Sequence, residues 1–247
     1  MKRIARMGMV GLVVLLATGC DDGDDDALSE EAIVPDPDTC NPQANTFVAT
    51  IDHPYFPLPV GRRLVYRGAE TSIDDHGDTE TVELVVVTEV TDQVKVVDGV
   101  ETRVVTSQEF EDGELIETVN DFYAQAPDGT VCYFGEDVTN FEDDGSTNTE
   151  GSWRAGGGNT PGIIMPGNVT PGTTFAQENA PGAAEDHSVI VARNVPVRLD
   201  IATYTDTLYL IDWNPLDGQH VNDGEDKLFA RDVGLVVDDV VDLTEID

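Results

Sequence analysis

Basic residues are scarce in this 247-residue chain, which sets 13 lysines and arginines against 49 aspartates and glutamates for a formal charge of −36. Lysine occurs only as Lys2, Lys95 and Lys227. A field of that sign repels nucleic acid and anionic headgroups, which speaks against nucleic-acid binding. Three readings of the acidity stand open: binding of divalent or cationic ligands, adaptation to salt, or solubility through self-repulsion. The carboxylates are scattered along the whole chain, which favours the last two over a dedicated cation store. Cysteine is also rare, with three residues and no CxxC or metal-type spacing. No apolar run reaches the roughly 20 residues a membrane-crossing helix needs. Catalytic signatures are missing too: no G-x-S-x-G elbow, P-loop, dinucleotide fingerprint or His-Glu-x-x-His. Of the four histidines, His76 and His220 sit in Asp/Gly-rich stretches and read as exposed loop residues. Ser152 has no base partner visible in the sequence.

What is present begins with the leader. Lys2, Arg3 and Arg6 precede an apolar run of about a dozen residues that ends in small side chains, the layout of a secretory signal peptide. Ala17-Thr18-Gly19-Cys20 resembles the bacterial lipobox, in which the cysteine is lipidated and becomes the new N-terminus. Leu16 stands one place earlier than in the commonest form. The expected organisation is a leader over 1–19, an acidic disordered tether over 20–45 and a β domain over 46–247. Export leaves Cys40 and Cys132 as an even pair, open to disulfide formation in an oxidising compartment or to burial as two thiols. The Asp21–Asp26 run invites a calcium reading. With Asp22, Asp24 and Asp26 at loop positions one, three and five, Ala27 falls where an EF-hand needs Gly and Ile33 where it needs Glu, so that reading fails.

From Phe47 onward the pattern is β. Stretches 81–90, 93–97, 100–106, 108–111, 114–119, 122–125 and 130–134 are rich in β-branched or alternating residues. Asp98-Gly99, Asp112-Gly113 and Asp128-Gly129 separate them as hairpin signals. Residues 135–182 are Gly-, Pro- and Asn-rich yet carry Trp153, Met165 and Phe175, so this segment is predicted to pack over something. Strands are predicted again at 187–192, 195–201, 205–211, 227–230 and 235–243. The fold class expected is all-β: one large antiparallel meander sheet, curved into an open barrel or clamp, with the Gly/Pro-rich segment across it.

Several phrases together carry a resemblance. They are Pro54-Tyr-Phe-Pro-Leu-Pro-Val-Gly-Arg-Arg-Leu-Val-Tyr66, the stretch from Phe122 to Asp137, Glu150-Gly-Ser-Trp-Arg-Ala-Gly156, Pro161-Gly-Ile-Ile-Met-Pro166 and Pro181-Gly-Ala-Ala-Glu-Asp186. Over residues 54–237 the chain resembles a family of exported bacterial β-rich domains and lipoproteins of unknown function. Cys132 stands where that likeness expects an aromatic residue. The resemblance implies a single exported β domain and brings no activity with it.

One acidic constellation flanks the Gly/Pro-rich segment: Glu136 and Asp137, Glu150 with Trp153, and Glu185-Asp186-His187. If the fold gathers them, carboxylates beside an aromatic surface suit Ca²⁺ through oxygen ligands, a cationic ligand, or a sugar-like ligand against Trp153. Two close carboxyls also suit acid–base hydrolysis. The expectation is a lipid-anchored, non-enzymatic envelope protein, facing the periplasm or cell exterior from the inner or outer membrane. It is expected to bind a small molecule or an envelope protein in the concavity of its sheet. A metal-dependent or carboxylate-based hydrolase and a purely structural envelope component are the rivals.

Overall fold

A computed structural model describes residues 32–73 and 79–247; the leader, Cys20, the first part of the acidic stretch and His76 lie outside the described residues. One short pair comes first, β1 (Asp52–His53) with β2 (Phe56–Pro57). Five long strands follow as a meander: β3 (Arg63–Ile73), β4 (Thr79–Val97), β5 (Val100–Glu111), β6 (Glu114–Gln125) and β7 (Val131–Phe141). The Gly/Pro-rich segment contributes β8 (Thr147–Asn148), β9 (Trp153–Arg154), β10 (Gly162–Met165) and β11 (Thr174–Ala176). After β12 (His187–Arg193), a detached pair, β13 (Val197–Arg198) and β14 (Thr203–Tyr204), precedes β15 (Thr207–Trp213). The last strands are β16 (Glu225–Ala230), β17 (Gly234–Asp238) and β18 (Val241–Ile246). No helix among the described residues is long and apolar enough to cross a membrane.

The fold is all-β. Twelve strands form one antiparallel path, β10-β7-β6-β5-β4-β3-β18-β17-β16-β15-β12-β11, with β8 and β9 added on β7. Local chemistry explains the meander. Asp98 and Gly99, and again Asp112 and Gly113, have positive φ in succession, the type I′ turn whose twist matches its flanking strands. The Asp128-Gly129 hairpin is built differently: only Gly129 is left-handed, and the Asp128 carboxylate accepts the Thr130 amide at 2.9 Å. Residues 81–97, expected as two strands, make one strand with a bulge between Val90 and Val94. The Arg103 guanidinium holds that bulge by donating to the carbonyls of Thr91 and Gln93. The stretch 235–243, expected as one strand, turns at left-handed Asp239 and becomes β17 and β18.

The sheet curves until its two edge strands lie alongside. Between β10 and β11 there is no ladder, but the Thr160 amide donates to the Asn179 carbonyl at 3.2 Å and the Asn179 side chain to the Pro161 carbonyl at 3.1 Å. At Gly162 a β-carbon would meet the Gln177 carbonyl oxygen at 1.8 Å, so only glycine lets the backbones pass this closely. The Gly/Pro-rich segment thus joins the two edges, pairing with β7 on one side and β12 on the other.

Residues 33–62 join the domain earlier than the sequence suggested. Ile33 bridges to Thr173, Cys40 is bonded to Cys132 in β7, Val48 pairs with Gln125, and the Asp232 amide donates to the Pro54 carbonyl. Cys40, Ile51 and Tyr55 enter the main core beside Phe122, Phe134, Ile190, Leu208 and Phe229, which come from both halves of the sheet. The segment plugs the curved sheet. A second core under β3, β16, β17 and β18 is built on Tyr66, Leu228, Val236 and Leu243.

Two outcomes are expected. Gly162→Ala should lower unfolding free energy by about 3 kcal/mol, the upper end of overpacking costs, as a drop in the urea midpoint. The Cys40–Cys132 bond spans 92 residues. Its loss in the Cys40→Ser, Cys132→Ser double variant should cost about 4–5 kcal/mol by loop-closure entropy, and the variant's midpoint should no longer respond to reductant.

Candidate carboxyl-lined site at the sheet seam

β6 and β7 set the first half of the site. Asp121 stands opposite Glu136, and Tyr123 opposite Tyr133, with a register shift between the two pairs. That bulge inserts a residue into β7, so Tyr133 and Glu136, three apart, point to the same side. Gly135 occupies the bulge at φ 121°, where a β-carbon would meet the Trp153 carbonyl oxygen at 2.3 Å. β9 therefore lies directly on β7 and places Trp153 opposite Glu136. The rings lock the arrangement: Tyr123 and Tyr133 stack at 4.9 Å, and Trp153 meets Tyr133 edge-on at 5.4 Å.

The other half arrives from across the seam. Gln177 and Glu178 follow β11, and the Gly162 contact brings Glu178 over β7. The Trp153 indole donates to Glu178 Oε1 at 3.0 Å, and the Tyr133 hydroxyl donates to Asp121 Oδ1 at 2.6 Å. Glu136 stands within hydrogen-bonding reach of Glu178. Burial pushes the Glu136 carboxyl up to about 9, with the nearby Asp121 and Glu178 charges adding to the rise. Asp121 is also raised, first by burial, against the pull of the Tyr133 hydrogen bond. Glu178 is raised by burial and held back by its Trp153 bond. Buried carboxyls with no cation beside them keep protons and share them.

Glu178 also opens outward. With Thr160, Asn179, Glu185 and His187 it lines a polar groove of about 310 Å³. The His187 ring stacks on Trp213 at 5.5 Å, making a flat lip. A larger hollow of about 370 Å³ lies elsewhere, among Ile51, Pro57, Leu58 and Val60. Its two arginines are already committed to backbone carbonyls, Arg62 to Val233 and Arg103 to Ala49.

The residues expected from the sequence divide. Glu136 and Trp153 are in the buried cluster, Glu185 and His187 are on the groove, and Asp186 lies just behind it, pushed up to about 7 by burial. Glu185 Oε1 accepts the Gly182 amide at 2.7 Å and so also fixes its own loop. Asp137 points to the opposite side of β7 and pairs with Arg154 at 2.5 Å. Glu150 is exposed, away from the groove, its carbonyl accepting the Asn140 side chain. Cys20 lies outside the described residues. Asp121, Tyr123, Tyr133 and Glu178 were not anticipated. Gly135 inside a strand was the available signal, since such a glycine marks a bulge or a close approach. Nothing in the local sequence marks Glu178.

For calcium, no three His, Cys, Asp or Glu side chains among the described residues are grouped to hold a metal ion. The arrangement offers proton sharing at its base and hydrogen-bond acceptors toward the groove, chemistry suited to ammonium or hydroxyl groups. No family model, curated protein or solved structure matches the chain.

The raised carboxyls set a pH dependence. A carboxyl protonated in the fold and ionised when unfolded stabilises below its unfolded value, and that contribution is lost as pH rises through its folded value. For Glu136 the window runs from the ordinary carboxyl value of 4.5 up to about 9. Melting temperature should therefore fall between pH 5 and pH 9. Glu136→Gln, permanently neutral and of the same shape, should flatten this slope and melt higher than the parent at pH 8 by a few degrees, about 2–4 °C per kcal/mol.

Proposed function

We propose that this chain is an exported lipoprotein, moored through Cys20, whose β body is non-enzymatic and binds a small polar ligand on the concave side of its sheet. The leader and the lipobox-like Ala17-Thr18-Gly19-Cys20 support the anchor. The charge of −36 supports a ligand that is cationic or neutral rather than anionic. The observation that carries the binding reading is Glu178, which lines the groove while its carboxyl is held by Trp153 and reaches Glu136. A fixed, partly buried acceptor at the floor of a polar groove, with the His187–Trp213 stack at its lip, suits an amine or a sugar-like polyol.

The hydrolase reading rests on the Glu136–Glu178 pair. Glycoside hydrolases hold their carboxyls about 5–9.5 Å apart, to admit a sugar carbon or a water between them. A pair within hydrogen-bonding reach of each other leaves no such room, which favours binding over turnover.

Two measurements test this. Cys20→Ala should move the protein from the membrane to the soluble fraction of the expressing cells; continued membrane association removes the anchor. A thermal-shift panel of primary amines, polyamines and mono- and disaccharides should give at least one saturable stabilisation that Glu178→Gln abolishes. A panel without any saturable shift, or a shift untouched by Glu178→Gln, removes the groove as the binding site.

A further inference from the structure

The main sheet closes its two edges on each other at the seam, yet one hairpin reopens an edge. At Gly68 the β17–β18 turn passes so close that a β-carbon would meet the Val240 carbonyl oxygen at 1.9 Å. The β18 ladder ends there, at the Val241–Gly68 pair. On the other flank the β5 ladder ends at the Leu84–Glu111 pair, and the Asp112 amide and carboxylate cap the Glu83 backbone. Beyond these limits β3 and β4 pair only with each other among the described residues, 69–73 against 79–83, and leave the body as a two-stranded arm. Five residues of strand carry it roughly 17 Å past the sheet. A lone two-stranded ribbon is marginal in water.

The outer edge of residues 69–73 presents backbone donors and acceptors with no strand beside them among the described residues. Such an edge is a template for another chain, and proteins commonly blunt it with lysine, proline or a bulge. This edge has none of the three: 69–73 hold no Lys or Pro, and the register with β4 runs unbroken over all 11 residues of β3. Its side chains alternate between two faces. Ala69, Thr71 and Ile73 lie on one face and are exposed, Ile73 at 74%. Glu70 and Ser72 lie on the other, with Glu80 opposite Ser72 on β4. Along β3 the first face is therefore small or apolar, and the second is acidic. The one guard on the edge is Glu70, and its sign selects the partner. A second copy of this chain would bring like charges together, in a molecule already at −36. A cationic strand is drawn in.

We propose that the outer edge of β3, residues 69–73, docks an extended cationic segment of a partner protein, which adds to the arm as one more strand. Main-chain hydrogen bonds supply the affinity and side-chain alternation the selectivity. Lys or Arg side chains lie on the Glu70 face, and β-branched ones lie beside Ala69, Thr71 and Ile73. Docking turns the two-stranded ribbon into a three-stranded sheet, the smallest that is stable on its own. This surface is separate from the groove at the seam and does not depend on what the groove binds.

The experiment uses the whole chain, with Cys20→Ala where the lipid interferes, and the capped heptapeptide Lys-Val-Lys-Thr-Lys-Val-Lys. Calorimetric titration at about 0.15 M salt, where long-range attraction is screened, should show one saturable site. Amide hydrogen exchange at residues 69–73 should slow about tenfold with the peptide in excess. The same peptide N-methylated at alternate residues should be made in both registers. One register should lose about tenfold in affinity, because its methyls replace the amides that face β3, and the other should lose little. The counterpart with Glu in place of Lys should not bind. Glu70→Lys should weaken binding about fivefold to tenfold by turning an attractive neighbour into a repulsive one. Glu101→Lys, exposed at the opposite end of β5, should leave it unchanged. No saturable site, equal binding of the two N-methyl registers, or unchanged exchange at 69–73 would overturn the proposal. Equal losses in Glu70→Lys and Glu101→Lys would reduce it to adsorption on a negative surface and also overturn it. A concentration-dependent dimer of the chain alone that protects the same residues would give the edge to a second copy instead. The N-methyl comparison needs no change in the protein, so it decides even where Glu70→Lys fails to fold.

Discussion

The two edges of one sheet meet at Gly162 with backbone against backbone, close enough that a side chain would collide with the Gln177 carbonyl oxygen at 1.8 Å. This steric constraint decides what the molecule has to work with. Because the edges touch, Glu178 reaches Trp153 and Glu136 although the two halves of the cluster lie at opposite ends of the strand order. Because they touch without a ladder, the junction keeps polar backbone and side-chain groups facing a groove. A fully closed barrel would consume these groups in pairing, and a flatter sheet would leave them dozens of ångströms apart.

The electrostatics follow from having so few cations. With 13 basic residues in the whole chain, most of the described ones have structural duties. Arg62 donates to the turn carbonyls of Asp232 and Val233, Arg103 holds the β4 bulge, and Arg231 lies over the Tyr55 ring while pairing with Asp206 at 2.6 Å. Lys227 is engaged by Asp238 and Glu225, and among the described residues no cation pairs with Asp121, Glu136 or Glu178. Those acids instead remain neutral by retaining protons, or accept donors from Trp153 and Tyr133. The same scarcity that keeps the chain strongly negative therefore leaves a cluster of buried acids at the seam that hold protons instead of ion pairs.

Much of the architecture was legible. Asp-Gly pairs and β-branched runs gave the meander, and the Gly/Pro composition marked the segment that turned out to span the seam. What escaped were most of the features that depend on residues far apart in sequence, the Cys40–Cys132 pairing being the one left open by cysteine count. The tether was expected to extend to residue 45 because its composition is acidic and Pro-rich, but Cys40 is fastened by its bond to Cys132 and Ile33 by Thr173, a partner that no local pattern reveals. Among the site residues, Glu136 and Trp153 were found because they flank the segment; Asp121 fell in the gap between the predicted stretches 114–119 and 122–125, which are one strand, and Glu178 in a stretch without any signal. Asp137 was grouped with Glu136 by adjacency, yet strand alternation sends the two to opposite sides.

The plug formed by residues 33–62 has a mechanical consequence. A pull along residues 33–39 meets the short bridge from Ile33 to Thr173 and is then taken up by the covalent link from Cys40 to β7, the second strand from the β10 edge. Load therefore bypasses the remaining noncovalent contacts of the plug and spreads into β7, paired on both sides by neighbouring strands. Traction applied ahead of Cys40 is therefore carried by a sulfur–sulfur bond, which ties the plug's resistance to shear to the redox state of its surroundings.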